Sequence, residues 1–199
     1  PAEQPILGIN LGRVGFLTEI EPAHMEDGIA QLMAGKWQIE ERTLMRARAE
    51  SGESAFALNE IAIVRAGVSA RILTIEADVN GYPVARVSGD GIIASTVTGS
   101  TAYSLSAGGP IIAPSVKAFV LTPICPHTMS SRPVLVSEED RICLRVVGEN
   151  GSAQAVCDGR AMWPHVREIG VERAEKTAKF LRLNQRNFYH LLREKLSEW

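Results

Sequence analysis

The chain has 199 residues, 45% of them hydrophobic and 22% charged, with a net charge of -2; this is ordinary globular usage and excludes a disordered or fibrous class. Near-neutrality without a cluster of Lys and Arg gives no electrostatic case for nucleic acid or for an anionic membrane surface, so neither is expected as a partner. No apolar run is long enough to cross a bilayer, and residues 1–5 carry no basic stretch leading into an apolar one, so a soluble, cytoplasmic protein is expected.

In chain order, Ile6, Leu7 and Ile9 form an apolar run that predicts a buried strand of an α/β unit. A glycine-bearing loop, NLGRVGFL, follows. Gly12 and Gly15 before Phe16 could bring the ring against a base, or could simply lead into a helix with a core Phe. A helix is predicted over 22–34, with Pro22 in its first turn, Met25, Ile29, Leu32 and Met33 on one face, and Gly35 as its stop. Together these segments predict the end of an α/β domain over residues 1–36.

From about Trp37 the period becomes two. Leu73, Ile75, Ala77 and Val79 alternate with polar residues, and Asn80-Gly81 turns the chain into Val84 to Val87. Ile142, Leu144 and Val146 alternate in the same way, and 149–152 turns the chain back into Ala153 to Cys157. An antiparallel β domain over 37–180 is predicted, with one helix, Ser100 to Ala107, set into it and stopped at Gly108-Gly109-Pro110. Over 181–199 an amphipathic helix is predicted, capped by Asn187 and carrying Phe188, Leu191, Leu192 and Leu196 on one face, packing back on the α/β part. The fold class is α+β.

Cys125, Cys143 and Cys157 are odd in number, far apart and set in apolar sequence, which predicts buried thiols rather than disulfides or zinc ligands. The four histidines show no ligand spacing, and no protein-held metal is expected.

SGDGIIASTVTGSTAYSLSAGGP, residues 88–110, concentrates small hydroxylated residues around Asp90. Gly89 and Gly91 would let the backbone approach a ligand without a Cβ in the way. Thr98, Gly99, Ser100 and Thr101 would present hydroxyls and free N–H groups where a helix starts, a cradle for a polar, nucleotide-like ligand. Gly-Asp-Gly alone reads as a turn before a capped helix, and it is its combination with STVTGST and SAGGP that points to a ligand. The pattern is neither a P-loop, which needs a Lys, nor GxGxxG. Asn59-Glu60 places an amide and a carboxylate on an apolar strand, so one of them points at the core or a cleft; the pair suits ribose hydroxyls, and an ion pair of Glu60 with Arg65 or Arg71 is the alternative. Asp158 in AVCDGRAM reads by itself as a hairpin turn. In PICPHTMSSRPVLV, residues 123–136, prolines predict a rigid connection outside the ladder around His127 and Arg132.

In this order, NLGRVGFLTEI, ALNE, SGDGIIASTVTGSTAYSLSAGGPI, PHTMSSRPVLV and CDG strongly resemble the bacterial and archaeal-type NAD kinases, ATP-NAD 2′-phosphotransferases, over nearly the whole chain. The resemblance implies an N-terminal α/β (Rossmann-like) domain, a C-terminal β-rich domain and a homo-oligomer, a dimer or tetramer. It implies NAD and ATP as substrates, polyphosphate being a possible donor, and Mg²⁺ or another divalent cation accompanying ATP. Carried over by position, Asn59 and Glu60 match the pair that holds ribose and nearby groups of NAD, and Asp90 the carboxylate near nicotinamide. Thr98, Thr101, Ala102, Tyr103 and Ser106 match adenine and ribose contacts, some across a subunit boundary, and Phe16 the aromatic beside adenine. Cys125 and Asp158 match positions lining the nicotinamide end or its neighbouring subunit.

Two departures accompany the resemblance. Val97 stands where the family usually has Pro, which removes a φ restraint but no contacting side chain. The GGDGT motif, whose Asp is the family's catalytic base, does not occur in these 199 residues and is expected upstream of Ile6. The alternative function is a noncatalytic NAD-binding or regulatory module. A lipid or sphingoid kinase of the same superfamily is disfavoured, because it would not call for Asn59-Glu60 with the TGSTAY loop.

Overall fold

Twelve strands and three α-helices follow the chain in a computed structural model that describes residues 4–12, 15–67, 71–148, 152–183 and 187–196. Helix α1 is Met25–Met33, followed by β1 (Gln38–Ala49), β2 (Ser54–Ala57), β3 (Glu60–Arg65), β4 (Leu73–Val79), β5 (Tyr82–Gly89) and β6 (Gly91–Thr96). Helix α2 is Tyr103–Ser106; then come β7 (Ala118–Ile124), β8 (Val134–Ser137), β9 (Ile142–Val147), β10 (Ala153–Cys157), β11 (Arg160–Pro164), β12 (Glu168–Arg182) and α3 (Phe188–Leu196). The chain divides into two compact units, 43–176 and 1–42 with 177–199, and β1 and β12 run through both.

Within 43–176, two six-stranded sheets, ordered β2-β1-β12-β9-β4-β5 and β11-β10-β3-β6-β7-β8, enclose one core. Alternation builds the first sheet. Leu73, Ile75 and Ala77 point in from β4, and Ile142, Leu144 and Val146 from β9, while the residues between them are half-buried. Asn80 and Gly81, at φ of 53° and 83°, make the tight turn that joins β4 to β5 in antiparallel register, as Asn-Gly does when both turn residues need positive φ. From the second sheet Ile61, Ile63, Ile92, Phe119 and Leu121 meet them.

The second sheet is covered on its outer face as well. There Ala62, Ile93 and Ile124 pack with Ala107, and Val97, Ile112 and Val120 form a further cluster. This is why β6 and β7 are buried at every position and show no alternation of apolar and polar residues. Pro123, expected in a connection, lies inside β7; pairing with β8 reaches only Leu121, so β7 has a single partner strand at the proline. The expected return of β9 into β10 crosses between the sheets, because β9 pairs β4 and β12 while β10 pairs β3 and β11. Residues 149–151 of that turn lie outside the described residues.

In the other unit, the predicted buried strand is instead two isolated parallel bridges, Ile6 with Phe180 and Ile9 with Ile20, and Ile6 and Ile9 stay largely exposed. A single bridge on one side leaves each of these side chains open on the other. Asn10 is buried and donates to the Glu21 carboxylate, and the buried Glu19 accepts from Arg182 and from the Leu183 N–H at 3.1 Å. A one-turn 3₁₀ helix, Pro22–His24, precedes α1, and Gly35 follows at a φ of 69°. The expected apolar face of α1 is turned outward: Met25, Ile29 and Met33 are exposed. The helix packs through Gly28, where a Cβ would lie 2.4 Å from Ile20 Cδ1. Asn187 caps α3, its Oδ1 accepting the Tyr189 N–H at 2.9 Å, and Phe188, Leu191, Leu192 and Leu196 are half-buried. No helix among the described residues is long and apolar enough to cross a membrane.

Leu144 is wholly buried whereas Leu135 is 51% exposed. Leu144→Ala is therefore expected to lower unfolding stability by about 3 kcal/mol and Leu135→Ala by well under 1 kcal/mol. Urea denaturation checks this, and equal losses would contradict the assignment of the core.

Candidate dinucleotide site

The site grows from the turn Leu58-Asn59 between β2 and β3. Its carbonyls go to the end of β6: the Thr96 Oγ1 hydroxyl donates to Leu58 O at 2.6 Å, and the Thr96 N–H to Asn59 O at 2.9 Å. Its N–H groups go to the β10–β11 turn, where the Asp158 carboxylate accepts from Leu58 at 2.7 Å, Asn59 at 2.8 Å and Glu60 at 3.0 Å. Asp158 and Gly159, at φ of 45° and 75°, do form the hairpin turn read from the sequence.

Thr96 also accepts the Gly99 N–H through Oγ1, which folds the chain into a 3₁₀ turn, Gly99–Thr101, ahead of α2. Gly99 lies directly on the Asn59 backbone; a Cβ there would come within 2.1 Å of Asn59 O. Two segments 40 residues apart in sequence are thus in contact through a glycine. The glycines around Asp90 have a related reason. A Cβ on Gly89 would meet the Ile124 carbonyl at 2.7 Å and one on Gly91 the Ile63 carbonyl at 2.2 Å. The space left by the missing side chains is filled by neighbouring strands rather than by room for a ligand, which corrects the sequence reading of those two residues.

Glu60 opens β3 and is buried, and its carboxyl accepts the Tyr103 backbone N–H. Of the two arginines that could pair with it, Arg65 meets Asp90 at 3.2 Å. Burial, with the Asp158 charge adding to it, raises the Glu60 pKa to about 7 despite that N–H. Burial first, then Cys125, Asp90 and Glu60, push the Tyr103 phenol up as well, so four of the sequence-selected residues share one electrostatic environment. Among the described residues three buried side-chain polar atoms have no hydrogen-bond partner, and two of them are Glu60 Oε2 and Thr98 Oγ1. Both belong to the segments joined at the Gly99–Asn59 contact. Buried polar groups are normally paired, so these two point to a ligand that pairs them.

The remaining selected residues are placed as follows. Asn59, Thr101 and Ala102 are half-buried and Tyr103 and Ser106 exposed. Ser100 is buried, its hydroxyl donating to Val97 O at 2.7 Å and accepting the Ile112 N–H at 3.1 Å, so it is internal rather than presented. Cys125, expected to be buried, is exposed at a φ of 43°, because β7 ends at Ile124; Cys143 is half-buried and Cys157 buried. His127 and Arg132 are exposed, with Arg132 donating to Ser131 O at 2.9 Å. Phe16 is half-buried in the other unit. Thr96 and Arg65 went unselected. Thr96 could have been found as a hydroxyl at the end of an apolar strand; nothing local marks Arg65 as the partner of Asp90.

The profile of the ATP-NAD kinase C-terminal domain matches residues 58–183, and that of the ATP-NAD kinase N-terminal domain residues 1–37. The chain is 42% identical over 204 aligned positions to an NAD kinase of Moorella thermoacetica, covering 100% of this chain but 65% of that relative. Among solved structures it resembles yeast NADH kinase complexed with NADH, with a TM-score of 0.87 at 25% identity over 97% of this chain and 58% of the other. It also resembles an NAD kinase from Archaeoglobus fulgidus in complex with ATP, with a TM-score of 0.83 at 32% identity over 98% of this chain and 74% of the other.

The raised Glu60 pKa has a consequence for ligand-free stability. A carboxyl that is easier to protonate folded than unfolded stabilises in full below its unfolded value of 4.5, and that contribution is lost as pH rises through about 7. Glu60→Gln removes the titration. Wild-type stability is expected to fall relative to this variant across that window and to run parallel to it outside; parallel profiles throughout would contradict the assignment.

Proposed function

The chain belongs to the ATP-NAD kinase family, and from that premise we propose that it forms the dinucleotide-holding part of an enzyme that phosphorylates NAD with ATP. The phosphoryl group passes from ATP to the 2′-hydroxyl of the adenosine ribose, giving NADP and ADP. The observation that carries this reading is the pair of unpartnered buried atoms, Glu60 Oε2 and Thr98 Oγ1, in segments joined at Asn59. The yeast relative complexed with NADH and the archaeal one with ATP support the same substrate classes.

The roles of the residues follow from their chemistry. A ribose diol donates and accepts hydrogen bonds, and Asn59 offers both functions in one amide. Glu60, with a pKa of about 7, presents a carboxyl that can donate to or accept from a hydroxyl near neutrality. Thr98, Thr101 and Ala102 are assigned to a flat base beside Tyr103, and Asp90 offers a carboxylate to an amide such as that of nicotinamide.

Phosphoryl transfer depends mainly on positioning the nucleophile and stabilising charge, and these residues are assigned to positioning. The base is assigned to the family's GGDGT motif, which is not in these residues. A divalent cation would neutralise phosphate charge. Among the described residues no group of three or more His, Cys, Asp or Glu is placed to hold one, so it is assigned to the phosphates of ATP as part of that substrate. A cytoplasmic homo-oligomer completes the reading.

Incubation of the complete protein, including the segment that carries the GGDGT motif, with NAD, ATP and Mg²⁺, followed with an NADP-specific dehydrogenase, tests it. Turnover is expected, with kcat/KM for NAD lowered about tenfold or more by Asn59→Ala and by Asp90→Ala. Unaltered NAD kinetics in both variants would contradict the assignment, and NAD binding without turnover would favour a noncatalytic module.

A further inference from the structure

An Asp-Gly turn at a hairpin tip makes no demand on the direction of the Asp side chain. At Asp158 the side chain nevertheless turns back across the sheet to residues about a hundred positions earlier, and both carboxylate oxygens are engaged: Oδ1 by the N–H groups of Asn59 and Glu60, Oδ2 by that of Leu58. The contact is reciprocal, since the Asp158 N–H donates to Glu60 O at 3.0 Å. With Thr96 holding the other two carbonyls, every backbone donor and acceptor of residues 58–60 is paired. A carboxylate offers about four lone-pair sites, so three bound N–H groups leave it little capacity for a ribose or amide group.

We propose that Asp158 is a positioning residue, whose carboxylate holds the Leu58–Glu60 turn in the geometry with which Asn59 and Glu60 meet the dinucleotide, without making that contact itself. The proposal rests on the reading of Asn59 and Glu60 as dinucleotide contacts. It deepens that reading by moving Asp158 from the group that touches ligand to the group that shapes the turn. Backbone N–H bonds to a charged acceptor are among the stronger ones in proteins, and three on one residue make the turn depend on a single side chain.

Two variants separate the roles. Asp158→Gly removes the carboxylate without strain at positive φ. Asp158→Asn keeps an oxygen for the Asn59 and Glu60 N–H groups but loses the acceptor for Leu58. In the ligand-free intact protein, amide hydrogen exchange at residues 58–60 is expected to speed up roughly tenfold to a hundredfold in the Gly variant, with Ile61 to Ile63 unchanged. Calorimetric NAD affinity is expected to fall about tenfold or more alongside it. In the Asn variant only Leu58 is released, and most NAD affinity returns.

Unchanged exchange at 58–60 in the Gly variant would overturn the proposal. So would an equal loss of NAD affinity in both variants while Asn59 and Glu60 stay protected in the Asn variant, which would mean that the charge itself touches ligand. Wild-type protein that fails to bind NAD would overturn the reading of the pocket and with it the ligand half of the proposal; the exchange rates decide the clamp in either case.

Discussion

The need to satisfy the backbone of a three-residue turn at the edge of a buried sheet underlies the rest of the site. Residues 58–60 leave β2 and enter β3, whose partner β6 is wholly buried. Unpaired N–H or C=O groups there would be costly. Asp158 takes the donors, and Thr96 with the Asp158 N–H takes the acceptors. The turn is thereby made rigid by groups from two different strand ends, and the side chains of Asn59 and Glu60 are released from serving their own backbone. The proposed contact of Asn59 and Glu60 with a ribose would gain from this, because side chains already oriented cost less to order on binding.

The same economy of space explains the concentration of small residues from 88 to 110. Gly89, Gly91 and Gly99 sit where strands or turns approach more closely than a Cβ permits. Ser100, Ser104 and Thr96 spend their hydroxyls on internal partners. Thr98 alone of these hydroxyls is buried without one. Close packing thus accounts for most of the composition of the stretch. Electrostatics adds a second layer: Glu60 is buried beside Asp158, so its proton is retained further toward neutral pH than in an exposed glutamate, which titrates at lower pH.

Legibility in the sequence divided along physical lines. The alternation in β4 and β9, the Asn-Gly turn between β4 and β5, the cap at Asn187 and the stop at Gly35 are local effects, set by period two and by φ, and all were readable. Burial on both faces of β6 and β7 masked period two, and Pro123 was misplaced because its tolerance depends on where β8 stops pairing. The outward face of α1 was unreadable because the partner of a helix face is a tertiary fact. Among the candidate residues, Asn59, Glu60 and Asp90 stood out by type, whereas Tyr103 entered only through the family resemblance. That Gly99 contacts Asn59, that Arg65 meets Asp90 and that Asp158 grips the turn all require strands far apart in sequence to be adjacent.

The most direct test of the account is a map of backbone amide chemical shifts while NAD is titrated into the isotopically labelled protein. The account predicts that the largest changes fall at residues 58–60, at 90 and across 98–106, with β4 and β9 silent. Saturable binding with its largest shifts on β4 and β9 instead, or no shift at any of these positions, would contradict it.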